Sequence, residues 1–254
     1  MYKSFTADDY RKHLKLPADY VVDGFLIYGT FRKFPYEQLE DSLKKQRIEY
    51  QTAKIGDEYF DPVLTFRVGN NNYWFTIAYG GTMLSEYLHL ACTFGSKKNL
   101  LIGSCGGLKK GASSLDIIVP DWSYGDESSA RSYQNEKDGK QYSDTSISDR
   151  LADKLADKYK VHRGPTVTHQ AMLGETWEDI ERWAQQGYIG VEMEASTVFA
   201  VSNHFKVPSA AILHIGDNLI EEETVMDINY ETNRDLHRQV SQDIFDAAVE
   251  ELLK

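Results

Sequence analysis

Apolar runs of strand length alternate, along most of the 254-residue chain, with segments whose apolar residues recur at helical spacing. A strand followed by a helix that returns to a neighbouring strand builds a mostly parallel sheet with helices on both faces, so this alternation restricts the chain to the α/β class. The runs predict strands over Gly24–Tyr28, Val63–Val68, Tyr73–Ala78, Asn99–Ile102, Asp116–Pro120, Thr166–His169, Gly190–Met193 and Ser209–Ile215. Helical spacing predicts helices over Ala7–Leu14, Pro35–Lys45, Met83–Phe94, Ser148–Tyr159, Glu178–Gln186, Ala195–Phe205 and from Tyr230 to Leu253. The stretch Gly69–Asn72 between two strand runs reads as a hairpin turn, because Gly and Asn tolerate positive φ, and this makes one strand pair antiparallel. The polar stretch Asp126–Asp144 has no period and reads as a surface loop or lid. One core suffices at this length, so residues 1–254 are expected to form a single domain, a mixed central β-sheet flanked by helices.

The charge balance narrows the partners. Lys and Arg number 28 against 39 Asp and Glu, a formal charge of −11, and no basic run is present. Nucleic acid polymers and anionic membranes are therefore excluded as expected partners. No apolar run approaches the ~20 residues of a membrane span, and the start MYKSFTADDYRK lacks the apolar centre of a signal peptide, so a cytoplasmic location is expected. Cys92 and Cys105 lie in apolar surroundings without CxxC or Cys/His spacing, which predicts free thiols and no metal.

Three segments carry groups suited to chemistry. In LLIGSCGGL, Leu100–Leu108, a buried strand runs into glycines and a serine. Such glycines let backbone or ligand approach closely, and amides with a hydroxyl can cradle an anion or a sugar oxygen; a tight turn beneath a sheet is the competing explanation. In GVEMEAS, Gly190–Ser196, Glu192 and Glu194 flank Met193 where a strand passes into a helix. On a strand both carboxylates point to one side, and a carboxylate holds a vicinal diol with two charge-assisted hydrogen bonds; alternatively one of them caps the helix. In LHIGDNL, Leu213–Leu219, an apolar strand ends in Gly216, Asp217 and Asn218. Ligands of open α/β sheets bind beyond the strands' carboxyl ends, where an acid is a candidate proton donor, although an Asp at such a turn is also a common cap.

Taken in this order, GSCGG, VEMEA and a strand ending in an acid, the three segments resemble the nucleoside phosphorylase/nucleosidase superfamily. That group includes purine nucleoside phosphorylases, uridine phosphorylases, methylthioadenosine nucleosidases and AMP nucleosidases. The resemblance covers Gly24 to the C-terminus and implies cleavage of the N-glycosidic bond of a nucleoside. It implies that Glu194 holds the ribose hydroxyls, with Met193 against the sugar and Glu192 beside it. Asp217 would donate to N7 of a purine base, with Asn218 and Met172 at the base. Gly29, Arg32, Lys33, Gly103 and Ser104 would hold phosphate or another nucleophile. Tyr79 and Trp177 are further candidates for the wall against the base. No cofactor is implied beyond phosphate as co-substrate, and a homo-oligomer, a dimer, trimer or hexamer, is expected.

The sequence departs from the pattern where phosphate would bind. Leu101 stands where phosphorylases of the group carry an arginine, and Gly29-Thr30-Phe31-Arg32-Lys33 replaces GDPxR, so Lys33 takes the place of a bidentate arginine. The region Ile55–Asp61 contains no arginine to offer a neighbouring subunit. Phosphorolysis to free base and ribose 1-phosphate, hydrolysis by a nucleosidase and nucleoside binding without turnover all remain open, with phosphorolysis of a purine nucleoside as the leading expectation. His169 and His214 read as hydrogen-bonded core histidines, and Arg11 and His13 as solvated helix residues.

Overall fold

The computed structural model describes residues 2–125, 128–134, 138–224, 226 and 232–254. Its strands are β1 (Gly24–Gly29), β2 (Gln51–Lys54), β3 (Val63–Val68), β4 (Asn71–Ala78), β5 (Asn99–Gly107), β6 (Ile117–Tyr124), β7 (Lys140–Tyr142), β8 (Val161–Thr168), β9 (Gly190–Glu192) and β10 (Ser209–Asn218). The helices are α1 (Ala7–His13), α2 (Pro35–Lys45), α3 (Gly81–Thr93), α4 (Ser128–Arg131), α5 (Thr145–Ala156), α6 (Trp177–Gln185), α7 (Ala195–Phe205) and α8 (Arg234–Leu252). All strands join one mixed sheet in the order β10-β6-β8-β9-β5-β1-β4-β3-β2, with β7 on β6. Because β10 also pairs with β5, the first five strands of that path close into a ring. Among the described residues no helix is long and apolar enough to cross a membrane.

Alternation along the strands builds the two faces. Leu26 and Tyr28 of β1, with Ile102 of β5, pack against Phe245 and other residues of α8, whereas Phe25, Ile27 and Leu101 face Leu88 of α3 and Phe199 of α7. The hairpin expected at Gly69 forms, with Val68 opposite Asn71 and Gly69 at φ 58°.

Three differences from the sequence reading bear on the site. The glycine segment after Ile102 continues as strand to Gly107 instead of turning, since β9 and β10 pair along it. Gly106 allows that closeness, for a Cβ there would stand 3.1 Å from Val191 Cγ1 of β9. Strand β10 likewise runs on to Asn218, but its register against β5 shifts between Ile215 and Asp217, so Gly216 is an extra residue. A bulge of this kind turns the residues beyond it relative to the pleat before it. The stretch expected as a loop from Asp126 to Asp144 contains α4 and β7, and Gly139, just before β7, has a φ of 76°. Residues 126, 127 and 135–137 of that stretch, and residues 230 and 231 of the expected closing helix, lie outside the described residues.

Candidate active site

The parallel strands β1, β5 and β10 run side by side, Gly29 opposite Gly103 and Gly103 opposite Leu213. The starts of α3 and α7 meet them there. Strand β9 stops at Glu192, so the pleat that would align Glu192 with Glu194 ends before Glu194 is reached.

The two glutamates consequently take different tasks. Glu192 Oε1 accepts hydrogen bonds from Thr168 Oγ1 (2.6 Å) and Ser123 Oγ (3.0 Å). Its Oε2 accepts from the amides of Glu194 (2.7 Å) and Ala195 (2.5 Å), at the start of α7. Burial pushes this carboxyl's pKa up and the four donors pull it back. A carboxylate so occupied caps the helix, favoured by the helix dipole, which is the alternative role the sequence offers for one of the two glutamates. Thr168 Oγ1 completes the cap by accepting from Ser196 N at 3.0 Å. Glu192→Gln is expected to lower stability by about 1–2 kcal/mol, because an amide cannot present two oxygens to these donors. Urea unfolding checks this; an unchanged transition with weakened riboside binding would return Glu192 to the ligand.

Glu194 stands at the N-cap of α7 yet makes no side-chain cap bond. Its Oε1 accepts from Gly80 N at 2.7 Å, and its Oε2 lies 2.7 Å from where a Cβ on Gly29 would be. Only glycine at position 29 leaves the carboxylate this place at the end of β1. Burial, and after it the charge of Glu192, push the Glu194 carboxyl up to about 8. Gln170 fixes the surroundings: its Oε1 accepts from Gly81 N (2.8 Å) and its Nε2 donates to Met193 O (2.7 Å). Gln170 gives no signal in the sequence, since its role depends on contacts 89 and 23 residues away.

Asp217, half-buried beyond the bulge, lies opposite Gly106. Glu175 carries a carboxyl raised to about 7, by burial first and by the charge of Asp217 second. This second acid had no signal in the sequence. The segment from Gln170 to Glu175 thus runs from the start of α3 toward Asp217, and Met172, 41% exposed, lies along it. Trp177 is exposed at the start of α6. Asn218 does not join them. It is fully buried, and its Nδ2 donates to Lys109 O (3.1 Å) and Ala112 O (2.6 Å), so it pins the loop after β5.

Of the residues expected to hold a nucleophile, Ser104 is exposed while Gly103 is buried within the sheet, where a Cβ would stand 3.1 Å from Gly29 O. Arg32 and Lys33 are exposed beyond β1, and Arg32 N donates to Thr30 Oγ1 at 3.2 Å. Leu101, at the expected arginine position, is fully buried core. His214, in register with Ser104, donates from Nδ1 to Gly103 O at 3.0 Å, and burial lowers its pKa to about 4, so it is a neutral core histidine. His169 packs on Trp183 with ring centroids 5.2 Å apart. Arg11 donates to Tyr20 O and Asp8, both at 2.8 Å, within its own chain. Among the described residues no group of three or more His, Cys, Asp or Glu side chains could hold a metal ion.

A cavity of about 950 Å³ opens beside this centre, lined by Gly80, Gln170 and Met193 and by Tyr59, Tyr79 and Glu86. Another, of about 570 Å³, lies between Lys109 and α6 and is lined by none of Gly80, Gln170 and Met193, the residues that adjoin Glu194. The first is the one contiguous with the candidate site.

Comparison with known proteins agrees with this architecture. A profile described as the phosphorylase superfamily matches residues 36–250. The DeoD-type purine nucleoside phosphorylase of Clostridium beijerinckii is 25% identical over 188 residues, 66% of this chain and 77% of that protein. Guanosine phosphorylase of Halorubrum lacusprofundi is 24% identical over 121 residues, 48% of this chain and 50% of that one. Among solved structures, uridine phosphorylase from Vibrio fischeri superposes with a TM-score of 0.72 at 16% identity, covering 99% of this chain and 98% of that one. A putative methylthioadenosine nucleosidase from Weissella paramesenteroides gives 0.68 at 18% identity, covering 92% and 98%.

Proposed function

The chain belongs to the phosphorylase superfamily, and from that premise we propose that it cleaves the N-glycosidic bond of a purine nucleoside by phosphorolysis, yielding free base and ribose 1-phosphate. The observation that carries the reading is the division of labour at the start of α7. Glu192 and Thr168 cap the helix, which leaves the Glu194 carboxylate at the end of β1 and beside the cavity. A buried carboxylate so placed can accept both hydroxyls of a ribose diol.

Ribosyl transfer passes through a cation-like sugar while negative charge gathers on the departing base. Glu194 holds the sugar and stabilises its positive character. Asp217 delivers a proton or hydrogen bond to the base, and Glu175, with its carboxyl raised to about 7, stands near it as a second acid. Ser104, Gly29 and the cations Arg32 and Lys33 offer a place for phosphate on the opposite face of the sugar. Water is the rival nucleophile, and the burial of Leu101 where a phosphate-binding arginine was expected favours it.

The deciding experiment incubates the protein with inosine, adenosine, guanosine and methylthioadenosine, with and without phosphate, and identifies the sugar. Release of free base with ribose 1-phosphate, at a phosphate-dependent rate, is expected. Free ribose at equal rates in both buffers would assign hydrolysis, and binding without release of base would make the protein a nucleoside binder.

A further inference from the structure

The wall of the large cavity away from Glu194 is not used by the proposed reaction, although its chemistry is selective. With the diol on Glu194 and the base toward Asp217, C5′ of the sugar points away from Asp217. On that side lies the cavity bounded by Gly80 and Met193, whose lining includes neither Asp217 nor Glu175. Selectivity on that side rests on the proposed function only through this orientation of the sugar.

Among its described lining residues the charged one is Glu86, on the exposed side of α3, and none is Lys, Arg or His. The charge of Glu86 helps raise the pKa of Tyr10, Tyr59 and Tyr133 around it. A smaller cavity of about 360 Å³ shares Glu86 and Tyr59 and adds Asp57 and His13. Lys3 is held by the Ser132 carbonyl and the Tyr133 ring, 4.3 Å from its centroid. The start of α3 could attract an anion, but the amides of Gly80 and Gly81 are already bonded to Glu194 and Gln170. A phosphate monoester, carrying nearly two negative charges, therefore meets the Glu86 carboxylate and finds the Gly80 and Gly81 amides already bonded. An uncharged or cationic group meets two tyrosines, Met83 and a complementary charge.

We propose that this cavity receives the 5′ side of the nucleoside and that Glu86 restricts it to uncharged or cationic 5′ substituents, excluding nucleoside 5′-monophosphates. The test is titration calorimetry of adenosine, inosine, guanosine, their 5′-monophosphates and 5′-amino-5′-deoxyadenosine. Each nucleoside is expected to bind at least ~10-fold more tightly than its monophosphate, and the 5′-amino compound more tightly than adenosine. Glu86→Gln should narrow both ratios, and Glu86→Lys should invert the first. Their melting curves should match the native protein, because the side chain is exposed on its helix. A monophosphate bound as tightly as its nucleoside, ratios unmoved by either variant, or no binding by any nucleoside would overturn the proposal. Recovery of intact nucleoside after binding with the expected ratios would instead refute the cleavage reaction and leave the selectivity standing.

Discussion

Replacing Asp217 with asparagine is expected to slow the chemical step ~10²- to 10⁴-fold, the range that one positioned acid contributes. The amide keeps the shape of the side chain at the end of β10 and retains hydrogen-bonding capacity, but it delivers no proton to the leaving base. Substrates that depart without protonation isolate this role. 7-Methylinosine carries its positive charge already, so its single-turnover rate should fall far less than that of inosine. A residue that only closes the strand end would slow both substrates in parallel and shift the melting transition. Equal losses, or a collapsed transition, would remove Asp217 from the chemistry.

Glu194→Gln is expected to lower kcat/KM for ribonucleosides ~10²-fold, since the amide loses one of two charge-assisted acceptors for the diol. A 2′-deoxyribonucleoside lacks half of that interaction and should lose less. The pH dependence has a definite sign. With its carboxyl raised to about 8, the free enzyme holds Glu194 neutral below that pH, whereas the diol prefers the carboxylate. The rate constant kcat/KM should therefore climb as pH rises through about 8, and this limb should vanish in the variant. Stability runs the other way. A carboxyl raised on folding from its ordinary 4.5 favours the native state at low pH, and that contribution is lost as pH rises toward 8. The variant should thus be at least as stable as the native protein at alkaline pH while being less active. Equal losses on ribo- and deoxyribonucleosides would show that Glu194 does not hold the diol.

The fold was readable where local pattern and tertiary environment agree. The buried runs of β1 and β3 and the amphipathic repeat of α2 needed no knowledge of their neighbours. Strand β2 was missed because Gln51–Lys54 is an edge strand with all four residues exposed, which leaves no apolar alternation to detect. The reach of β5 to Gly107 was missed because glycines that permit close strand packing resemble those of a turn. At the site, GVEMEAS and the strand-end acid were visible as motifs. The separate duties of Glu192 and Glu194 were not, for they depend on where β9 stops and on Ser123 and Thr168 from two other strands. Glu175 was hidden for a similar reason: its perturbation arises from burial and from Asp217, which is distant in sequence. The loop that Asn218 fastens was hidden as well, because an amide beside an acid says nothing about contacts more than 100 residues away.

The extra residue in β10 has a consequence for how such a site can diversify. Up to Ile215 the strand is committed to the core on both faces, and a one-residue change in register there would reverse every buried side chain. Gly216 absorbs a residue just before Asp217, so the tip's orientation is set separately from the buried stem. On the proposed function, substitutions at the tip would retune which base is accepted while the buried stem stays untouched.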